Sequence, residues 1–300
     1  MKIQKSNKIK GSIGDRLIQI IINVGLGLFA IITVLPFLYI LAGSFATEKE
    51  LVERTFFIFP RVISTNAYKY ILETGEVFRG LKNSVYVTLM GTAINMFFTT
   101  TFAYPLARKD LKGRSLIMNL VIITMVFSGG MIPSFLLIKE LNLLNTYWSL
   151  FLPGALSAYN MIIVKNFFEA IPSELEEAAT MDGCNTLLCF IKIVLPLSKP
   201  VLASVSLFYA VGHWNGYFGP MMYISDPEKE VIQIVLRRVT LLANGVATDG
   251  SLIDYGLLGT PPDRAVKMAV TVVAVVPILL VYPFIQKYFT KGVMIGAVKG

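Results

Sequence analysis

Six long stretches without a single Asp, Glu, Lys or Arg occupy half of this chain. They cover residues 17–47, 83–107, 115–138, 141–164, 200–225 and 268–286, with lengths of 31, 25, 24, 24, 26 and 19 residues, 149 of the 300 in all. A helix needs ~20 apolar residues to cross a hydrocarbon core of about 30 Å, so each stretch is able to span a bilayer. Overall the chain is 55% apolar and 15% charged, where a soluble domain carries about a quarter of its residues as charges. The pattern predicts a polytopic membrane protein.

The charges between the stretches orient it. With the N-terminus in the cytoplasm, the inside segments 1–16, 108–114, 165–199 and 287–300 hold 15 basic and 7 acidic residues, and the outside segments hold 12 of each. The whole formal excess of +8 then lies on one side. The two most informative clusters, Lys2/Lys5/Lys8/Lys10/Arg16 and Arg108/Lys109/Lys112/Arg114, are basic as the positive-inside bias requires. The expected spans are about 17–45, 83–107, 115–138, 145–166, 200–222 and 266–287, in one membrane domain covering 1–300. The first is expected to remain as a helix, because it far exceeds the 7–15 apolar residues of a signal-peptide core. Pro36, Pro105, Pro133, Pro153, Pro277 and Pro283 are expected to interrupt five of the six. Outside, residues 231–242 have the pattern of an amphipathic surface helix.

Several chemistries are missing. The sole histidine, His213, cannot build a His-rich metal site, and Cys184 and Cys189 on the cytoplasmic side are expected as reduced thiols. No G-x-x-x-x-G-K-[ST] loop is present to cradle nucleotide phosphates. The six charge-free stretches at the centre of the spans offer no acidic or basic residue of the kind a proton-coupled carrier keeps despite its cost. The membrane domain therefore lacks an evident energy source, although sodium coupling through carbonyls and Asn, Ser or Thr stays open. A secondary carrier or channel for a small polar solute is the competing reading. An intramembrane enzyme would need a zinc motif or an aspartate pair that is not there.

The cytoplasmic segment 169–199 is the most specific part of the sequence. From Ile171 it reads IPSELEEAATMDGCNTLLCFIKIVLPLSKP. Ser173 and Glu176 have the spacing of a capping box, Leu175, Ala178 and Ala179 give a small apolar face, and Asp182-Gly183 ends the helix at a left-handed glycine. A second amphipathic segment is expected over 186–194, with Leu187, Phe190, Ile191 and Val194 on one side. Pro196 is expected to stop it and Pro200 to start span five.

These residues resemble the EAA loop of permease subunits in binding-protein-dependent ABC importers. That pattern is E-A-A, three residues, G, nine residues, I, one residue, L-P. Glu177-Ala178-Ala179, Gly183, Ile193 and Leu195-Pro196 meet every spacing, and Asp182 and Phe190 match common extensions. Cys184 departs from the usual Ala or Ser. His213-Trp214-Asn215 and the C-terminal region are similar to the carbohydrate-uptake branch, the maltose-type second permease, and the ending to the LplC/YtcP group for complex saccharides. The resemblance implies an all-α integral membrane protein, an importer-permease (MetI-like) bundle of six transmembrane helices with both termini cytoplasmic, in the bacterial inner (plasma) membrane. It implies no catalytic residue, no metal and no cofactor on this chain, with ATP and Mg on partner subunits.

The implied partners are a second, distinct permease forming a heterodimer, two ATP-binding cassette subunits, an extracellular or periplasmic solute-binding protein, a saccharide and membrane lipid, with no nucleic acid. Glu177, Ala178, Ala179, Asp182, Gly183, Phe190, Ile193, Leu195 and Pro196 become the expected ATPase-coupling surface. Met294, Ile295 and Gly296 are expected to follow the last span into the cytoplasm and meet the ATPases. Amides suit sugar hydroxyls and aromatic faces suit sugar rings, so Asn95, Thr99, Asn119, Asn160, Trp214 and Asn215 are candidates for a substrate path. Polar groups in a bundle also bond neighbouring helices, and both roles stay open.

Overall fold

The computed structural model describes the backbone of residues 13–243 and 264–297, and among these every regular element is helical. Lys2, Lys5, Lys8 and Lys10 lie outside the described residues. The helices are α1 (Ile13–Ser44), α2 (Glu48–Glu53), α3 (Asn66–Thr74), α4 (Glu76–Ala107), α5 (Arg114–Val126), α6 (Met131–Glu140), α7 (Trp148–Phe151) and α8 (Ala158–Glu169). After these come α9 (Ser173–Met181), α10 (Thr186–Cys189), a π-helical turn (Phe190–Val194), α11 (Leu195–Leu197), α12 (Lys199–Trp214), α13 (Phe218–Tyr223), α14 (Ile232–Ala243) and α15 (Arg264–Ala297).

Among the described residues, three helices are long and apolar enough to cross a membrane unbroken: Leu17–Ser44 of α1, α4, and Arg264–Val281 of α15. Two more segments are bent pairs. α5 and α6 meet at 113°, and Thr186–Leu197 meets α12 at 82°. The fourth expected span is broken into α7 and α8 around Pro153-Gly154, and α8 alone, at 12 residues, reaches only about 18 Å. The expected proline interruptions are corrected in part. Pro36 and Pro105 lie inside continuous helices, and α15 runs unbroken through Pro277 and Pro283. Pro153 does mark a break, but the 113° bend falls at Phe127–Gly130, before Pro133, where Gly130 has φ +82°. A helix can carry a proline at the cost of one hydrogen bond, whereas a run of Ser-Gly-Gly gives little helical preference to hold.

α4 is the column of the bundle. Its buried residues include Val77, Gly80, Ser84, Val87, Gly91, Asn95, Thr99, Ala103 and Leu106. Spaced three or four apart, they form one face. That face is small and polar, while Leu89, Phe97 and Phe98 point outward and are exposed. This inversion of soluble amphipathicity is what lipid selects, because hydrocarbon accepts the large apolar side chains and small residues let helices approach. At Gly80 an added Cβ would lie 3.3 Å from the Ile232 Cα, so α14 rests directly on α4.

Two cores result. The outer one joins the end of α1, α2, α3, the start of α4, α14 and the start of α15, with Ala42, Ala265, Ala269 and Ala274 giving a close α1–α15 contact. The cytoplasmic one joins the end of α4 to α5, α8, the π turn and α12. Residues 17–34 of α1 belong to none of these cores and are exposed throughout. The amphipathic helix expected over 231–242 forms as α14 and buries Ile232, Val235 and Val239 against the bundle. Its start is fixed by Ser84, a fully enclosed side chain whose Oγ accepts the Ile232 N–H at 2.8 Å. Ser84→Ala orphans that donor, which costs about 1–3 kcal/mol. A lowered unfolding midpoint in detergent is expected, with Ser84→Thr closer to the native value. An unchanged midpoint for the alanine variant would show that the bond does not anchor α14.

Candidate functional site

The cytoplasmic loop between α8 and α12 is built from a sequence of helix signals. Pro172, at φ −57° and ψ 130°, precedes α9 and offers no side-chain cap. The expected capping box is therefore corrected: Ser173 is already the first helical residue. Glu176 turns away to the end of α4, where its Oε2 accepts the Tyr104 hydroxyl at 3.3 Å and lies 3.5 Å from Arg108 Nη1. At the other end Gly183 has φ +87°. Its N–H bonds the Thr180 carbonyl at 3.0 Å, and the Cys184 N–H bonds the Ala179 carbonyl at 2.9 Å. These two bonds are the Schellman arrangement that closes a helix on a left-handed residue. Of α9 only Ala179 is buried, so Glu177, Ala178, Asp182 and Gly183 face outward.

Asn185 begins the second segment, its Oδ1 accepting the Leu188 N–H at 2.8 Å. That cap went unread in the sequence, although Asn directly before Thr186 is the usual signal. The expected apolar side at 187, 190, 191 and 194 is corrected too. Phe190 and Val194 are buried with Cys189, but Leu187 and Ile191 are 65% and 51% exposed. The π turn Phe190–Val194 adds a residue to the helical repeat and rotates the two pairs apart. Ile193 and Leu195 are half-buried. Pro196 does not stop the helix, which continues to Leu197 and breaks at Ser198, a fully buried residue at the 82° bend. Pro200 sits in the first turn of α12, as expected.

Arg108, Arg114 and Lys165 of the inner face are paired with acids around this loop. Arg114 holds Glu169 Oε1 at 2.9 Å and the Leu106 carbonyl at 2.8 Å, and Lys165 also bonds Glu169. The Lys165 hydrogen bond, aided by Arg114 against the opposing effect of burial, holds the Glu169 carboxyl below its ordinary range. A depressed carboxyl stabilises the fold above its unfolded pKa and loses that contribution only as pH falls through the lowered value.

The intramembrane candidates separate into two groups. Asn95 donates to the Gly154 carbonyl and its Oδ1 meets His213 Nε2 at 2.6 Å. Thr99 Oγ1 is 2.7 Å from the Tyr209 hydroxyl, which also accepts the Ser157 N–H at 3.1 Å. Both are enclosed, and both serve the break between α7 and α8, where backbone groups would otherwise be orphaned in the bilayer. Asn160 is also buried, the third residue of α8. Trp214 borders a cavity of about 260 Å³ between α4, α12 and α15, lined also by Thr88, Val211 and Pro277. Asn119 and Asn215 are exposed, on α5 and at the end of α12. The six do not converge on one cavity within this chain. Met294, Ile295 and Gly296 have side chains outside the described residues; their backbone continues α15, which runs to Ala297.

The inner-membrane assignment has an independent basis in known proteins. The model of the family described as "Binding-protein-dependent transport system inner membrane component" matches residues 99–295. The chain is 53% identical to protein LplC of Bacillus subtilis over 275 residues, 92% of each chain. It is 50% identical to the polygalacturonan/rhamnogalacturonan transport system permease protein YtcP of the same organism, over 95% of this chain and 99% of that one. A chain from the crystal structure of a bacterial ABC transporter involved in the import of the acidic polysaccharide alginate superposes with a TM-score of 0.84 at 32% identity, covering 93% of this chain and 99% of that chain.

The geometry makes Asn95 a bundle residue whose loss is felt in stability. Asn95→Ala leaves the Gly154 carbonyl and His213 without their partner, at about 1–3 kcal/mol, whereas Asn215→Ala removes an exposed side chain and is expected within ~0.5 kcal/mol of native. Thermal unfolding of the two variants in detergent checks this. Equal midpoints would remove the structural role of Asn95.

Proposed function

Since the chain belongs to the binding-protein-dependent transport system inner membrane components, we propose that it is the second of two distinct permease subunits of a saccharide importer, driven through its cytoplasmic loop. It is a multi-pass inner-membrane permease of an ABC importer and not an enzyme. In the proposed assembly a similar permease completes the translocation path, two ATPase subunits bind ATP and Mg on the cytoplasmic side, and a solute-binding protein delivers the cargo outside. No cofactor is assigned to this chain. Oligosaccharides from acidic polysaccharides are the first substrates to test, because YtcP is named for polygalacturonan and rhamnogalacturonan and the alginate importer shares the fold.

The observation that carries the coupling role is the outward face of α9. Glu177, Ala178, Asp182 and Gly183 are exposed on the basic side of the protein, yet the turn beneath them is fixed by paired backbone bonds. Phe190, Ile193, Leu195 and Pro196 then lead without a gap into the bend at Ser198 and α12. A load on α9 would thus reach a membrane helix through the fixed turn at Gly183 and the helical segment 186–197. Asn119, Asn160, Trp214 and Asn215 are retained as candidates for the substrate path, and Asn95 and Thr99 as the supports behind it.

The test is at Gly183. An added Cβ meets nothing within 4 Å, so a substitution acts through the positive φ alone, at about 1–2 kcal/mol for an ordinary residue. Gly183→Val is expected to leave a folded, inserted permease with reduced ATPase copurification and uptake. Gly183→Asn, which tolerates the left-handed region, stays near native. Full transport by the valine variant at matched membrane abundance would remove the turn from the coupling pathway. The C-terminal end is proposed to dock between the ATPases. Deleting residues 294–300 is expected to weaken coupling while insertion is kept, and unchanged substrate-stimulated ATP hydrolysis would refute the docking.

A further inference from the structure

Tyr104 occupies the last turn of α4 and touches every part of the cytoplasmic loop. Its ring stacks on Phe190 of the π turn, with centroids 4.8 Å apart and planes at 26°, and meets Phe168 of α8 edge-on at 6.4 Å. Phe168 and Phe190 pack edge-on against each other at 6.3 Å, and all three are at most 7% exposed. The hydroxyl emerges from this apolar cluster and donates to Glu176 Oε2 at 3.3 Å. Arg108, one turn further on, approaches the same oxygen at 3.5 Å and is itself held by Asp110. Tyr104, Arg108, Asp110, Phe168 and Glu176 line a cleft of about 360 Å³ between the ends of α4 and α8 and the start of α9.

Beyond them little holds α9. Ala179 is its only buried residue, and its remaining polar side chains are exposed except Glu176. A nine-residue helix that is this exposed has almost no apolar hold on the bundle, and helices of this length do not persist on their own propensity. Its orientation therefore depends on the Glu176 contact to a degree that a well-buried helix would not. We propose that Tyr104, assisted by Arg108, is the positioning residue that holds α9 in the orientation the ATPase engages. The inference rests on the coupling role given to the loop, and adds that the loop is tied to α4 as well as to α12. Tyr104 joins the two: its ring fixes the second segment of the loop and its hydroxyl fixes the first.

The variants separate these two functions of one side chain. Tyr104→Phe keeps the ring in its stack and removes only the hydroxyl. Glu176→Ala removes the acceptor, and Glu176→Gln keeps an acceptor oxygen. Hydrogen exchange of the assembled transporter reads the tie directly, and equilibrium binding of the ATPase to the detergent-solubilised permease pair reads its consequence. Amide exchange over 173–181 is expected to rise at least threefold in Tyr104→Phe and Glu176→Ala, with α4 and α8 unchanged. ATPase affinity is expected to fall about fivefold in the same two variants, and Glu176→Gln is expected to restore both. The double variant is expected to be no worse than either single one, because both remove one contact. Unchanged exchange in Tyr104→Phe overturns the proposal, as does a rise that spreads equally into α4 and α8 or that Glu176→Gln fails to correct. Faster exchange with undiminished ATPase affinity overturns instead the coupling role on which the proposal rests, so the two failures are distinguishable.

Discussion

A peptide group inside a bilayer has only the protein to bond with, and that constraint decides where this chain is able to bend. An unbroken helix satisfies it internally, as α1, α4 and α15 do. An interruption needs partners from elsewhere, and at the broken fourth segment buried polar side chains supply them. At the break between α7 and α8, the Gly154 carbonyl takes Asn95 and the Ser157 N–H takes the Tyr209 hydroxyl. Those two acceptor and donor groups are held in turn by His213 and Thr99. At the bend before α12, the Ser198 N–H is shared between the Val194 and Leu195 carbonyls, at 3.0 and 3.2 Å. The intramembrane polar network is thus largely a consequence of the broken fourth segment.

The same constraint explains why α4 is central. A helix that must donate side-chain bonds to its neighbours' irregular backbone has to lie close to them, and Gly80, Ser84, Gly91, Asn95 and Thr99 provide a face narrow enough for that. At Gly91 an added Cβ would come within 2.5 Å of His213 Nε2, so the histidine reaches Asn95 only because residue 91 has no side chain. Ser84, toward the outer end, fixes α14, and Tyr104, at the inner end, meets the cytoplasmic loop. One helix therefore touches both the outer cap and the inner loop.

Much of this was legible from the residues. The apolar helices α1, α4 and α15 and the turn at Gly183 arise locally, through hydropathy and φ, and each has its counterpart in the structure. What was not legible depends on partners distant in sequence. Glu176 has the spacing of a cap, but Tyr104 and Arg108, some seventy residues earlier, compete for it and win by charge and a buried hydroxyl. The π turn had no local signature, so the buried face of 186–194 was assigned by a 3.6-residue repeat that the chain does not follow there. Asn95 and Thr99 drew notice as polar residues in apolar surroundings. Their three- and four-residue spacing with Gly80, Ser84 and Gly91 marks them as the packing face, a reading that requires hydrophobicity to be inverted for lipid.

The loop shows how a permease can present a defined surface while committing little of it to its own core. Its two segments are shaped by local backbone devices: the paired bonds around Gly183, the Asn185 cap and the π turn. None of these buries the outward residues Glu177, Ala178 and Asp182. A partner that binds there meets a preformed shape and loses little free energy to ordering it. The shallow attachment has a second effect. Coupling free energies between sites are about 1–3 kcal/mol, the scale of a few hydrogen bonds. A helix anchored by one alanine and one carboxylate is able to shift within that range, whereas one with a full buried face would resist by several times as much. The rigid turn and the weak seat are therefore complementary: the first keeps the shape of the contact, and the second lets that contact move.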